Sequence, residues 1–178
     1  MSLSRCLAAV AAATLLALPG VSPALAGEVS MAGGAVRFHT PDNWQDIMQT
    51  EGDPEARVFQ VPDPSPTGKN NLARVTVTVT QEPDVAGFNQ YREAADAKAK
   101  LLPGYRSSGD TPAPNEAAYS ANENGTEFSY SEHYWFARGR AIQLRCVRPA
   151  KSEAGSKWTA GFDHDCSALA AQLKQAGA

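Results

Sequence analysis

The chain has 178 residues and a formal net charge of −3, a length that suits one domain with its own core and is short for two. Its mild acidic excess, 16 Lys+Arg against 19 Asp+Glu, argues against nucleic acid or an anionic membrane as the main partner, while leaving room for a local basic patch. No segment reaches the roughly 20 apolar residues that a spanning helix needs, so no membrane span is expected.

Residues 1–26 read as a secretory signal peptide, with Arg5 in the n-region, an apolar stretch over 7–18 and Ala24-Leu25-Ala26 as a small-x-small cleavage site. Cleavage after Ala26 places the mature chain in the periplasm or outside the cell. Cys6 precedes the apolar stretch, away from where a lipid-modified cysteine has to sit. Cys146 and Cys166 remain, and in an oxidising compartment a disulfide between them is the leading reading. The alternative, a reactive thiol or metal ligand, lacks CxxC spacing.

In chain order, residues 27–34 are small and polar, a flexible N-terminal lead-in to a single globular domain over 35–176. A short strand is expected at 35–39 with Val36 inward. Thr40-Pro41-Asp42-Asn43 suits a tight turn, and Trp44 follows as an apolar anchor. Strands are expected over 44–49 and 56–61. Residues 62–71, PDPSPTGKNN, hold three prolines and form a loop, either a plain connection or a binding loop. Residues 72–80 alternate cleanly, with Val75, Val77 and Val79 toward the core. The period then changes: Val85, Phe88, Ala95, Ala99 and Leu102 share one side of an amphipathic helix over 83–102, with Pro83 in its first turn and Pro103-Gly104 as its stop. Short strands at 105–108 and 116–121 flank a loop with Pro112 and Pro114, and Asn122 to Gly125 turns the chain back.

Residues 126–146 alternate over a long hairpin. Phe128, Tyr130, Glu132, Tyr134 and Phe136 fall on one face, and Ser129, Ser131, His133 and Trp135 on the other. With Arg138-Gly139 as the central turn residues, Trp135 pairs with Ile142, His133 with Leu144, Ser131 with Cys146 and Glu132 with Arg145. Cys146 must then point at the element carrying Cys166. That element is a C-terminal helix: Cys166, Leu169, Ala170 and Leu173 recur at helical spacing, Asp163 or Asp165 is its cap, and it ends near Gln175. The opposite face carries Tyr130, Glu132, Tyr134, Phe136 and Arg145, too much apolar surface to stay bare. It is either core under the helix over 83–102 or a binding surface.

Asp163-His164-Asp165-Cys166 is the densest group of metal-ligand types, yet neighbours in sequence do not all converge on one ion, and neither metal nor cofactor is expected. GxSxG, HExxH and glycine-rich phosphate loops are absent from the sequence. A Cys166 nucleophile paired with His133 or His164 would need the thiolate that the disulfide consumes. Glu132 with Arg145 is an acid/base pair or a structural cross-strand pair. Arg138, Arg140, Arg145, Arg148 and Lys151 mark solvated strand ends or an anion patch.

Phe38-His39-Thr40-Pro41-Asp42-Asn43-Trp44 resembles the strand, Pro, turn and Trp opening of the PsbP-like fold, which includes the bacterial DcrB-like envelope proteins. The strand at 75–80 followed by a helix, the aromatic hairpin ending Leu144-Arg145-Cys146 and the helix from Cys166 extend the likeness over 35–175. Asn43 stands where Gly is usual. The resemblance implies an α+β fold, a central antiparallel β-sheet with helices packed on its faces (an α/β/α sandwich), and a non-enzymatic role. The expected function is therefore an exported, non-catalytic protein-binding or accessory module of the bacterial cell envelope, with a protein partner there. One alternative is an immunity or inhibitor protein that neutralises a periplasmic toxin or hydrolase through a protruding loop such as 62–71. The other is a hydrolase using Glu132, His133 and Arg145.

Overall fold

A computed structural model describes residues 27–70, 72–108 and 113–176; the leader assigned above lies outside them. β1 (Glu28–Met31) and β2 (Val36–His39) make a two-stranded antiparallel sheet. β3 (Gln45–Thr50), β4 (Glu55–Val61) and β5 (Ala73–Gln81) form a meander, followed by α1 (Val85–Lys100). β6 (Arg106–Ser107), β7 (Glu116–Glu123), β8 (Thr126–Ala137) and β9 (Arg140–Pro149) form a second meander before α2 (Gly155–Ala176). The meanders join into one seven-stranded antiparallel sheet because β9 returns to pair with β5, from Arg74↔Val147 to Gln81↔Arg140.

The fold is thus α+β, and the alternation of each strand decides which side is buried against what. On one face, Val75, Val77 and Val79 lie beside Ile142, Leu144 and Cys146, all buried. The small sheet covers part of this face with Met31, Val36 and Phe38, and α2 covers more with Phe162, Cys166, Leu169 and Leu173. Phe162, Leu169 and Leu173 each stabilise the fold by roughly 1.5–3 kcal/mol through burial. The Cys146–Cys166 disulfide ties the helix to the sheet, with Cα atoms 6.4 Å apart.

The other face meets α1. Asp84 caps this helix, its carboxylate accepting from the Gly87 N–H at 2.9 Å. Phe88 and Tyr91 pack over Phe136 and Tyr134, with ring centroids 5.7 and 6.4 Å apart. Ala99 at the far end seals Tyr119, Tyr130 and Phe128 together with Leu102 and Tyr105.

Several expectations shift. Residues 27–34 hold a strand and a helical turn, not a flexible lead-in, because Met31 enters the core and β1 pairs with β2 throughout. Pro83 precedes the cap of α1, and Val85 is exposed. α2 starts at Gly155, so Asp163 and Asp165 lie inside it and cap nothing. Trp158 and Phe162 belong to the same apolar stripe as Cys166, and Asp163 is held instead by Arg148, at 2.7 and 2.9 Å. Every pair anticipated for the hairpin is present, and Arg138 and Gly139 both have positive φ, as a two-residue turn of this hand requires.

Candidate functional site

The aromatic face of the hairpin is core. Glu132 is 1% exposed. Its carboxylate accepts hydrogen bonds from Tyr119 (2.6 Å), Gln143 (2.9 Å), Tyr134 and the Nε of Arg145 (2.7 Å). Four donors around one buried carboxylate meet the requirement that a buried charge be paired and saturated. Burial raises the Tyr119 and Tyr134 pKa values, and the charge of Glu132 raises them further. Burial alone would lower the Arg145 pKa, but the Glu132 charge and hydrogen bond, together with Tyr119 and Tyr134, outweigh it and the guanidinium is held protonated. Of the five residues read as a possible binding surface, Tyr130, Glu132 and Tyr134 are buried and Phe136 is half-covered by Phe88. Arg145 alone keeps substantial solvent access, its side chain 37% exposed.

The Glu132, His133 and Arg145 cluster does not assemble either. Adjacent residues of a strand point to opposite faces, so His133 lies on the α2 side while the other two lie on the α1 side.

That α2 side holds the open site. α2 packs mainly on β2 and β9, and the sheet extends beyond it toward β7. The uncovered strip forms a groove whose floor is Ser129, Ser131, His133 and Trp135 of β8 and Glu116 of β7. Asp163, Ser167, Ala170, Ala171 and Lys174 of α2 make its wall. The groove comprises two cavities of about 230 and 460 Å³ that share Ser167. The larger is lined by the apolar surface of Trp135, Ala170 and Ala171, with His133, Glu116, Asn115 and Lys174 as polar groups. Such a mixture, mostly apolar with a few convergent polar groups, is what ligand sites present.

The polar groups of the floor are connected. Ser131 Oγ lies 3.2 Å from His133 Nε2, and His133 Nδ1 lies 3.4 Å from Glu116 Oε1. The imidazole stacks on Trp135 with centroids 5.9 Å apart and planes 7° from parallel, which fixes its orientation. Glu116 was not singled out in the sequence, although counting back from the Asn124-Gly125 turn puts it opposite His133. The groove itself depends on where α2 starts and how far across the sheet it reaches, which the cap residues misplaced.

No protein-family model matches the chain, and no curated protein does; neither comparison supports the PsbP-like resemblance drawn from the sequence. Among solved structures, the fold is similar to that of LpqN, whose crystal structure is described as involved in cell envelope biogenesis of Mycobacterium tuberculosis. The TM-score is 0.50 at 16% identity, over 80% of this chain and 86% of that one. The comparison establishes a shared α+β architecture.

Proposed function

We propose that the protein is an exported accessory module of the bacterial cell envelope that binds a protein partner in the groove between α2 and the β7–β8 edge. The observation that carries this reading is the groove itself, an apolar wall of Trp135, Ala170 and Ala171 facing polar groups on a rigid sheet. A leader-like start, a disulfide of the kind that persists in oxidising compartments and a fold shared with an envelope protein support the location. The inhibitor reading gains nothing from residues 62–70. They are tied to the start of α2 by Trp158 Nε1 to the Pro62 carbonyl (2.9 Å), Ser152 to Asp63 (2.9 Å) and Thr67 to Glu153 (3.3 Å).

A photo-crosslinking amino acid tests the reading when placed at Ala171, on the groove wall, and at Asn124, in the remote β7–β8 turn. In the native envelope a discrete protein adduct is expected at Ala171 and not at Asn124. Ala171→Glu, which puts a charge into the apolar wall without touching the core, is expected to abolish an adduct formed from a crosslinker at Ala170. Equal adducts at the groove and the remote turn would remove the groove from the binding role.

A further inference from the structure

We propose that Ser131, His133 and Glu116 form a nucleophilic relay and that the groove cleaves uncharged carboxylic esters through an acyl-Ser131 intermediate. This goes beyond the binding reading, which needs the groove but not its chemistry.

The local geometry follows from the sheet. Ser131 and His133 are two residues apart on β8, so their side chains stand on the same face, and the β7–β8 register sets Glu116 directly opposite His133. A serine hydroxyl is a weak nucleophile until an adjacent base accepts its proton, and that base must be oriented by a third group. The 3.2 Å and 3.4 Å separations along Ser131, His133 and Glu116 supply that order of contacts. With the ring proton on Nδ1 facing Glu116, Nε2 is free to accept from Ser131. The same constellation recurs on unrelated folds and is recognised by geometry and roles.

Two features separate this set from a sealed structural ladder. Among the described residues, Ser131 Oγ has no hydrogen-bond partner other than His133, and Glu116 has no ion-pair partner other than His133. His133 also opens onto the 460 Å³ cavity rather than into packed core. Ser131 lines the adjoining 230 Å³ cavity, and the larger cavity beside His133 offers room for an acyl or alkyl chain along Trp135, Ala170 and Ala171.

In the first step Ser131 Oγ bonds to the ester carbonyl carbon as His133 Nε2 takes the hydroxyl proton. The tetrahedral oxyanion collapses, the C–O bond to the alcohol breaks, and the alcohol leaves with the proton from His133. Water then attacks acyl-Ser131, giving its proton to Nε2. The C–Oγ bond breaks, the proton returns to Oγ, and a carboxylic acid is released. Ester and water become acid and alcohol, with no co-reactant. Ser131 is the nucleophile, His133 the base, and Glu116 a positioning residue.

The test uses the purified, oxidised chain with a biotinylated fluorophosphonate and, separately, p-nitrophenyl butyrate. A single adduct mapping to Ser131 is expected, absent in Ser131→Ala and unchanged in Ser107→Ala on exposed β6. His133→Gln is expected to slow labelling and hydrolysis about a hundredfold, the scale of general-base assistance. Glu116→Gln should lower both, and Glu116→Asp should recover more of the rate than Gln, a rescue by charge that a packing role would not give. Circular dichroism and melting temperature, measured on each variant, confirm that it folds. Absence of a Ser131 adduct in the folded wild-type chain, or labelling indifferent to His133→Gln, overturns the relay. The crosslink at Ala171 is read independently in Ser131→Ala, so loss of the relay and loss of the binding role give different results.

Discussion

Four phenols lie in the layer between the sheet and α1, each hydrogen-bonded to a side chain there. Tyr119 and Tyr134 donate to Glu132, Tyr130 to Glu123 and Tyr91 to the Gln143 amide oxygen. Burial is the largest cause of raised pKa in all four, and the adjoining carboxylates add to it for Tyr119, Tyr134 and Tyr130. A phenol whose folded pKa exceeds its unfolded value holds its proton more tightly in the native state. Its stabilising effect is complete below the free value of 10.0 and is lost as pH rises toward the folded value. Phenolate absorbance from these tyrosines is therefore expected to be delayed beyond pH 10.0 and to rise together with loss of near-ultraviolet circular dichroism. Ionisation at the free-phenol position in a still-folded chain would contradict the network. Strand alternation made the Glu132–Arg145 pairing legible in the sequence. The depth of Glu132 and its tyrosine donors were not, because Tyr119 comes from another strand and α1 supplies the cover.

Among the elements, the β8–β9 hairpin was the most legible and its turn the most constrained. Arg138 has φ 49° and Gly139 φ 71°. The left-handed region costs an ordinary L-residue roughly 1–2 kcal/mol, and asparagine tolerates it better. Arg138→Asn creates the Asn-Gly pair such turns favour and is expected to raise stability by up to about 1 kcal/mol, read from the urea midpoint at constant slope. A fall in stability would mean that the Arg138 side chain contributes more than its strained backbone costs. α2 was less legible at its start. Gly155 and Gly161 weaken the helix signal, and Asp163 looks like a cap until Arg148 on the neighbouring strand is seen to hold it. Periodicity across Trp158, Phe162, Cys166, Leu169 and Leu173 marks the helix correctly once caps are given less weight than the apolar stripe.

For the molecule as a whole, the disulfide was legible from the leader-like start and the cysteine count alone. Its partners sit on β9, at the middle of the sheet, and on α2. Closing a loop between residues 20 apart in sequence stabilises by roughly 3 kcal/mol through restriction of the unfolded chain. Reduction is expected to lower the melting temperature by roughly 10 °C for a chain of this length, and the oxidised chain prepared without residues 1–26, and so without Cys6, should present no titratable thiol. An unchanged melting temperature on full reduction would leave the bond without a stabilising role. The groove was not legible at this scale, because it is a gap left between a helix and a sheet edge, and no single residue pattern encodes a gap.

The order of strands bears on how quickly the fold can form. β3 to β5 and β6 to β9 are meanders whose neighbours adjoin in sequence, and either can zip from its own turns. The sheet becomes continuous only when Arg74 meets Val147 and Gln81 meets Arg140. That seam spans α1 and the whole second meander, so closing it carries the largest loop entropy in the sheet. During synthesis, with the N-terminus emerging first, the first meander must wait with its β5 edge unpaired until β9 arrives. Val75, Val77 and Val79 stay unsealed through that interval, so an unfinished chain is exposed to self-association through β5, and the speed of the β5–β9 seam sets how long that exposure lasts.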